Sequence, residues 1–159
     1  MDNIISLINA ARIGDNESLR RLITPESNLN ASDEKGYTPL IIACYNGKFK
    51  SAELLIELGA DVNACDLGGN TALMGVAFKG YPEIARLLID NGANLDMQHG
   101  NGGTAIMFAA MFGRNEVLKV LISRGANKQL VDVRGLSVYD LAAQQGNEEA
   151  LNLLEQSES

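Results

Sequence analysis

An all-α solenoid of stacked helix-turn-helix units, joined by β-hairpin-like loops, is the fold this sequence predicts. Three observations predict it. Gly36, Gly69, Gly102 and Gly135 stand 33 residues apart, and so do Thr38, Thr71, Thr104 and Ser137. A second glycine column, Gly47, Gly80, Gly113 and Gly146, keeps the same phase and reaches back to Gly14. The pairs Gly59-Ala60, Gly92-Ala93 and Gly125-Ala126 form a third. Columns held in phase along the whole chain mark a repeat array, in which each unit buries its apolar face only against its neighbours.

The opening segment MDNIISLINAARIGD reads as an amphipathic helix that begins without a turn, with Ile4, Leu7 and Ile8 apolar. In the later units the hydroxyl of Thr38, Thr71, Thr104 or Ser137 precedes an apolar segment, where it can cap free amides of a first helix. Pro39 takes the first helical position, where its missing N–H costs nothing. Glycines 47, 80, 113 and 146 end the first helix and turn the chain. Pro82 then opens a second helix, PEIARLLIDNG. Gly59, Gly92 and Gly125 end second helices in a left-handed conformation, and a return loop such as ADVNACDLGGN leads onward. The small pairs Ala43-Cys44, Ala109-Ala110 and Ala142-Ala143 let neighbouring first helices approach closely. The chain is expected to be one domain, 1–159, with an N-terminal capping unit 1–31, units 32–64, 65–97 and 98–130, and a C-terminal capping unit 131–159.

The stretch DEKGYTPLIIACYNGKFKSAELLIELGADVNA resembles the ankyrin repeat, and the resemblance covers essentially the whole chain. The resemblance implies a concave surface made by hairpin tips and the exposed edge of the first helices. The sequence departs from the family pattern in two ways. The histidine after Pro-Leu is replaced by Ile41, Met74, Met107 and Asp140, and the proline survives only at Pro39, with Ala72, Ala105 and Val138 elsewhere. A stack held more by apolar contact than by hydrogen bonds between turns is expected.

Composition removes several function classes. The formal charge is −7 and no basic cluster occurs, so nucleic acid and acidic membrane surfaces are poor partners. No apolar run approaches the ~20 residues that span a bilayer. The N-terminus lacks a basic region and a cleavage-like site, and two cysteines make no disulfide framework. A cytoplasmic monomer is expected, its acidity suited to a basic protein partner by electrostatic steering.

Chemistry finds little footing. His99 is the one histidine, and it occupies the turn position that holds Asp33, Asp66 and Asp132 elsewhere. It reads as a replacement in a solvated turn. Cys65 and His99 fall near the tips of successive units, but a zinc site needs three or four ligands at recognisable spacing. Cys44 takes a small-residue core position. DLGGNT and HGNGGT lie in register with DEKGYT and DVRGLS and lack a following lysine, so they are turns rather than phosphate cradles. Neither cofactor, metal site nor catalytic residue is expected.

The residues on the implied concave edge are therefore the candidates. Tyr45, Phe78 and Met111 share one register position, with Asn46, Lys79 and Phe112 beside them, polar Arg12 at one end and Gln144 at the other. The tips add Tyr37, Leu67, Asn70, Asn101, Arg134 and Leu136, with Glu34, Lys35 and Val133. An apolar, aromatic centre with polar ends is the layout of a protein interface. These side chains either meet a partner or lie flat on the next repeat, and partner contact is the preferred reading. Within IMFAAMF, Ile106 is assigned to the core, Phe108 to packing toward the second helix, and Met111 with Phe112 to the partner edge. The expected function is a non-catalytic protein-binding module, in its sharper form an inhibitor or immunity-type protein. A structural scaffold that associates with itself is the alternative.

Overall fold

The structure, a computed structural model, describes residues 3–156. The outermost residues of both expected capping units, 1–2 and 157–159, lie outside the described residues. Ten helices follow one another among the described residues: α1 (Asn3–Ile13), α2 (Asn16–Leu22), α3 (Pro39–Tyr45), α4 (Phe49–Glu57), α5 (Ala72–Lys79), α6 (Pro82–Asp90), α7 (Ala105–Met111), α8 (Asn115–Ser123), α9 (Val138–Gln144) and α10 (Glu148–Gln156). The odd-numbered inner helices pack side by side, and so do the even-numbered outer helices. Each pair also packs within itself, which gives a two-layer solenoid. The loops are hairpin-like without forming strands among the described residues, apart from one isolated bridge between Cys65 and Thr71.

Sequence explains the layering. Inner helix α3, PLIIACY, is buried from Pro39 through Cys44, because layers of helix lie on several sides of it. Outer helix α8 is amphipathic. It buries Val117, Leu118, Val120 and Leu121 on one face and shows Glu116 and Lys119 to solvent. The zero-exposure alanines Ala43, Ala77, Ala109, Ala110 and Ala142 sit where inner helices meet, so close approach follows from their size.

Glycine is needed where one turn tip lies on the next. Gly36 has φ +84, and a Cβ there would fall 2.6 Å from the Leu67 nitrogen. The same register position in the last repeat, Gly135, has φ +80 and nothing within 4 Å, because no further tip follows.

The capping expectation holds at three positions of four. The hydroxyls of Thr38, Thr71 and Ser137 accept from the amides of Ile41, Met74 and Asp140. Thr104 does not cap α7. Its φ is −108, against −87, −93 and −91 at the other three. Among the described residues its hydroxyl oxygen is buried with no hydrogen-bond partner. Met74 and Asp140, at the positions where the histidine is missing, each close a capping box by accepting from the amide of Thr71 or Ser137.

Hydrogen bonds also join neighbouring repeats, beside the apolar core that runs through them. The backbone itself links the tips: Leu67 donates to the Lys35 carbonyl at 3.1 Å, Gly100 to Gly68 at 2.9 Å, and Val133 to Asn101 at 3.0 Å. A second set joins the return loops. There the amides of Asp61, Asn94 and Asn127 donate to the side chains of Asn30, Asn63 and Asp96 at 2.7–2.8 Å. The neighbouring repeat supplies these acceptors without a histidine.

Candidate partner-binding face

A groove of about 530 Å³ crosses the inner-helix face over α3, α5 and α7. Its origin is a register gap. Ile42, Gly75, Phe108 and Leu141 are equivalent positions on four successive inner helices, and the glycine on α5 leaves a notch between larger side chains. A Cβ at Gly75 would lie 3.3 Å from the Tyr45 ring. Four aromatic rings surround the gap. Tyr45 and Phe78 lie parallel at 6.2 Å, and Phe78 meets Phe112 edge-on at 4.7 Å. Phe108 stacks on Phe112 at 6.5 Å. These separations fall in the range of favourable aromatic pairs. The rings thus support one another and still show surface: Tyr45 is 41% exposed and Phe112 43%.

Seven of the sequence-predicted residues line this groove: Arg12, Tyr37, Tyr45, Asn46, Asn70, Phe78 and Phe112. Lys79 stands outside it with its ammonium 5.0 Å from the Tyr45 ring centre, a cation–π contact. Asn46 is partly committed, since its side chain donates to the Ile42 carbonyl at 2.8 Å and helps end α3. Asn70 is tied to the Asp66 carboxylate. Leu67 and Leu136 are not among the residues lining this groove, although Leu67 is 80% exposed at its tip.

Met111 departs from the expected column. It is half-buried and lines a separate hollow of about 440 Å³ with Asn101, Met107 and Arg134. α7 ends at Met111, in the register at which α3 and α9 end, and Phe112 is its C-cap with φ −106 and ψ 13. The Phe112 ring lies beside Phe78. Phe108 also departs from its assignment. It turns into the groove instead of toward the second helix, against Phe112 and against His99 at 5.1 Å. Sequence reasoning missed Gly75 and Phe108 as groove residues, although the column of equivalent positions contains the signal.

His99 serves its turn as the aspartates do. Its Nδ1 accepts from the Gly103 amide at 2.9 Å, as Asp33, Asp66 and Asp132 accept from Tyr37, Asn70 and Leu136 at 2.9, 2.9 and 3.1 Å. Among the described residues no group of three or more potential ligands gathers to hold a metal. Burial pushes the Cys44 thiol up to about 12, which leaves it protonated and inert at neutral pH.

Most of the chain's carboxylates lie outside the inner helices. Inner helices α3 and α7 carry no charge, α1 and α5 carry Arg12 and Lys79, and α9 carries the exposed Asp140. Every outer helix carries carboxylates, from Glu17 on α2 to Glu155 on α10. Asp66 lines the groove, but one of its oxygens accepts from the amides of Gly68 and Asn70, and both face the Asn70 side chain.

A family model of ankyrin repeats in three copies matches residues 7–99 and 73–158. The chain belongs to the ankyrin-repeat family. Ankyrin repeats are in general protein–protein interaction modules and typically non-catalytic. No curated protein matches this ankyrin chain. No helix among its described residues is long and apolar enough to cross a membrane. Gly75, Phe108 and Phe112 shape the aromatic groove on this ankyrin frame.

Proposed function

We propose that this ankyrin stack is a non-catalytic, monomeric binding module that takes a protein partner into the groove of α3, α5 and α7. The observation that carries the reading is the partly exposed aromatic cluster around Gly75. Large apolar surface held open on a rigid frame is a feature of binding sites, and aromatic anchors dominate protein interfaces. A rigid stack loses little conformational freedom on binding, so more of its contact energy appears as affinity. Blocking a partner's own site is a role such a groove fills without chemistry, which suits an inhibitor acting in the cytoplasm.

Capture from lysate of the native cell tests the reading. The bait is the wild type beside Tyr45→Ala/Phe78→Ala/Phe112→Ala, with circular dichroism to establish that the variant is folded. Loss of a stoichiometric partner supports the groove. A folded variant that keeps every partner overturns it, and a concentration-dependent oligomer in light scattering would favour a self-associating scaffold.

A further inference from the structure

Net charge alone points to a basic partner, but the placement of charge on the binding face points the other way. Four ion pairs occur among the described residues, and they occupy Lys50, Lys119, Arg124 and Arg134. Arg12, Lys48, Lys79 and Arg114 are in none of them. These four cations stand at the ends of inner helices or in the turns that follow, on successive repeats. Lys48 lies over Gly14 and Arg114 over Gly80, each side chain covering the glycine of the repeat before it. Arg114 also donates to the Phe78 carbonyl at 2.9 Å, and Arg12 donates to the Asn9 side chain at 2.9 Å. Lys79 and Arg114 thus reach residues that line the aromatic groove, Tyr45 and Phe78. Arg12 lines the groove itself.

Distance decides which charges a bound segment feels. The outer-helix carboxylates lie behind a second helix layer, roughly 8–10 Å further away. At physiological salt the screening length is about 8 Å. The net charge of −7 therefore acts on approach, while Arg12, Lys79 and Arg114 act at contact, with Asp66 the one carboxylate among the residues lining the groove.

We infer that the partner segment is an extended acidic peptide with one large apolar side chain, which fills the notch at Gly75 while its carboxylates face Arg12, Lys79 and Arg114. The inference rests on the groove being the binding face and adds the chemistry of its occupant. Gly75 sets the size of the anchor. Tyr45, Phe78, Phe108 and Phe112 supply its walls, and the cations set the sign of the flanks.

Selection of a random peptide display library on the wild-type protein tests it, followed by affinities of the enriched peptides for two variants. Gly75→Leu fills the notch from within a helix, where φ is not left-handed; Gly75→Ala fills it partly and serves if the leucine variant does not fold. Arg12→Gln/Lys79→Gln removes two cations outside the core. The expected peptides carry an aromatic or large aliphatic residue among Asp and Glu. Their affinity is expected to fall about tenfold or more in Gly75→Leu and about tenfold in the double variant, with a weaker salt dependence in the latter. Enriched peptides that lose affinity in Gly75→Leu but are basic or neutral, and are indifferent to the double variant, would overturn the acidic assignment and leave the groove standing. Absence of any peptide sensitive to Gly75 would overturn both.

Discussion

The four helix caps offer a controlled test of how local chemistry sets stability here. Thr71 and Thr104 occupy the same register position, and both are buried, at 4% and 1% exposure. The Thr71 hydroxyl accepts from the Met74 amide at 3.2 Å, whereas the Thr104 hydroxyl has no partner among the described residues. Valine matches threonine in shape and β-branching, so each substitution removes only the hydroxyl. Thr71→Val leaves a buried amide without its acceptor and should cost about 1 kcal/mol, within the range measured for lost caps. Thr104→Val removes a polar atom buried without a bond, and should be neutral or stabilising by up to about 1 kcal/mol. The contrast of about 1–2 kcal/mol corresponds to a separation of roughly 2–8 °C in Tm for a domain of this size. Urea unfolding followed by circular dichroism reads it. Equal losses in the two variants would refute the argument, because they would mean that the hydroxyl at 104 is bonded.

Three further outcomes follow from the same geometry. Gly36→Ala should destabilise the stack far more than Gly135→Ala: both suffer the left-handed cost of about 1–2 kcal/mol, but only Gly36 meets the next tip. Equal midpoints in urea would remove the tip contact as the reason. Native protein should show one thiol reactive to a maleimide, the exposed Cys65, and denatured protein two, because Cys44 is buried with its thiol raised to about 12; labelling of Cys44 at the rate of Cys65 would contradict this. Acid should weaken the fold through Asp15 and Asp132. Hydrogen bonds from the Ser18 side chain and then its amide hold Asp15 below the ordinary carboxylate value. Burial pushes Asp132 up, but bonds from Leu136 and Arg134 outweigh it and leave it lowered. Groups depressed in the fold stabilise it above their unfolded value and lose that contribution as pH falls through the folded one. The urea midpoint should thus decline below about pH 4, and more gently in Asp132→Asn; a decline of the same steepness in the variant would exclude that carboxylate.

The repeat frame was legible because it rests on backbone conformation. A left-handed residue selects glycine almost regardless of surroundings, so the columns at Gly47, Gly80, Gly113 and Gly146 mark turns that the structure places at φ 65–89. Side-chain direction is decided by neighbours and was less legible. Met111 shares the register of Tyr45 and Phe78, yet a flexible side chain follows the available space, here the hollow beside Met107 and Arg134. Phe112 reaches Phe78 from the C-cap position of α7, the position of Asn46 in α3 and Gln145 in α9, so the repeat pattern places its backbone but not the direction of its ring. Phe108 faces the groove because Gly75 leaves room for it, a relation between two repeats that a reading of one helix does not expose. The placement of charge was less legible for a related reason. A total of −7 says nothing about which layer carries it, and here the inner helices carry almost none.

Photo-cross-linking in the native cell tests the central claim most directly. A benzoylphenylalanine replaces either Phe112 in the groove or Arg86, an exposed residue of outer helix α6. The account predicts a defined protein adduct from position 112, lost when Gly75→Leu is added, and none from position 86. An adduct from position 86 alone would show that the partner sits on the outer helices and would contradict the account.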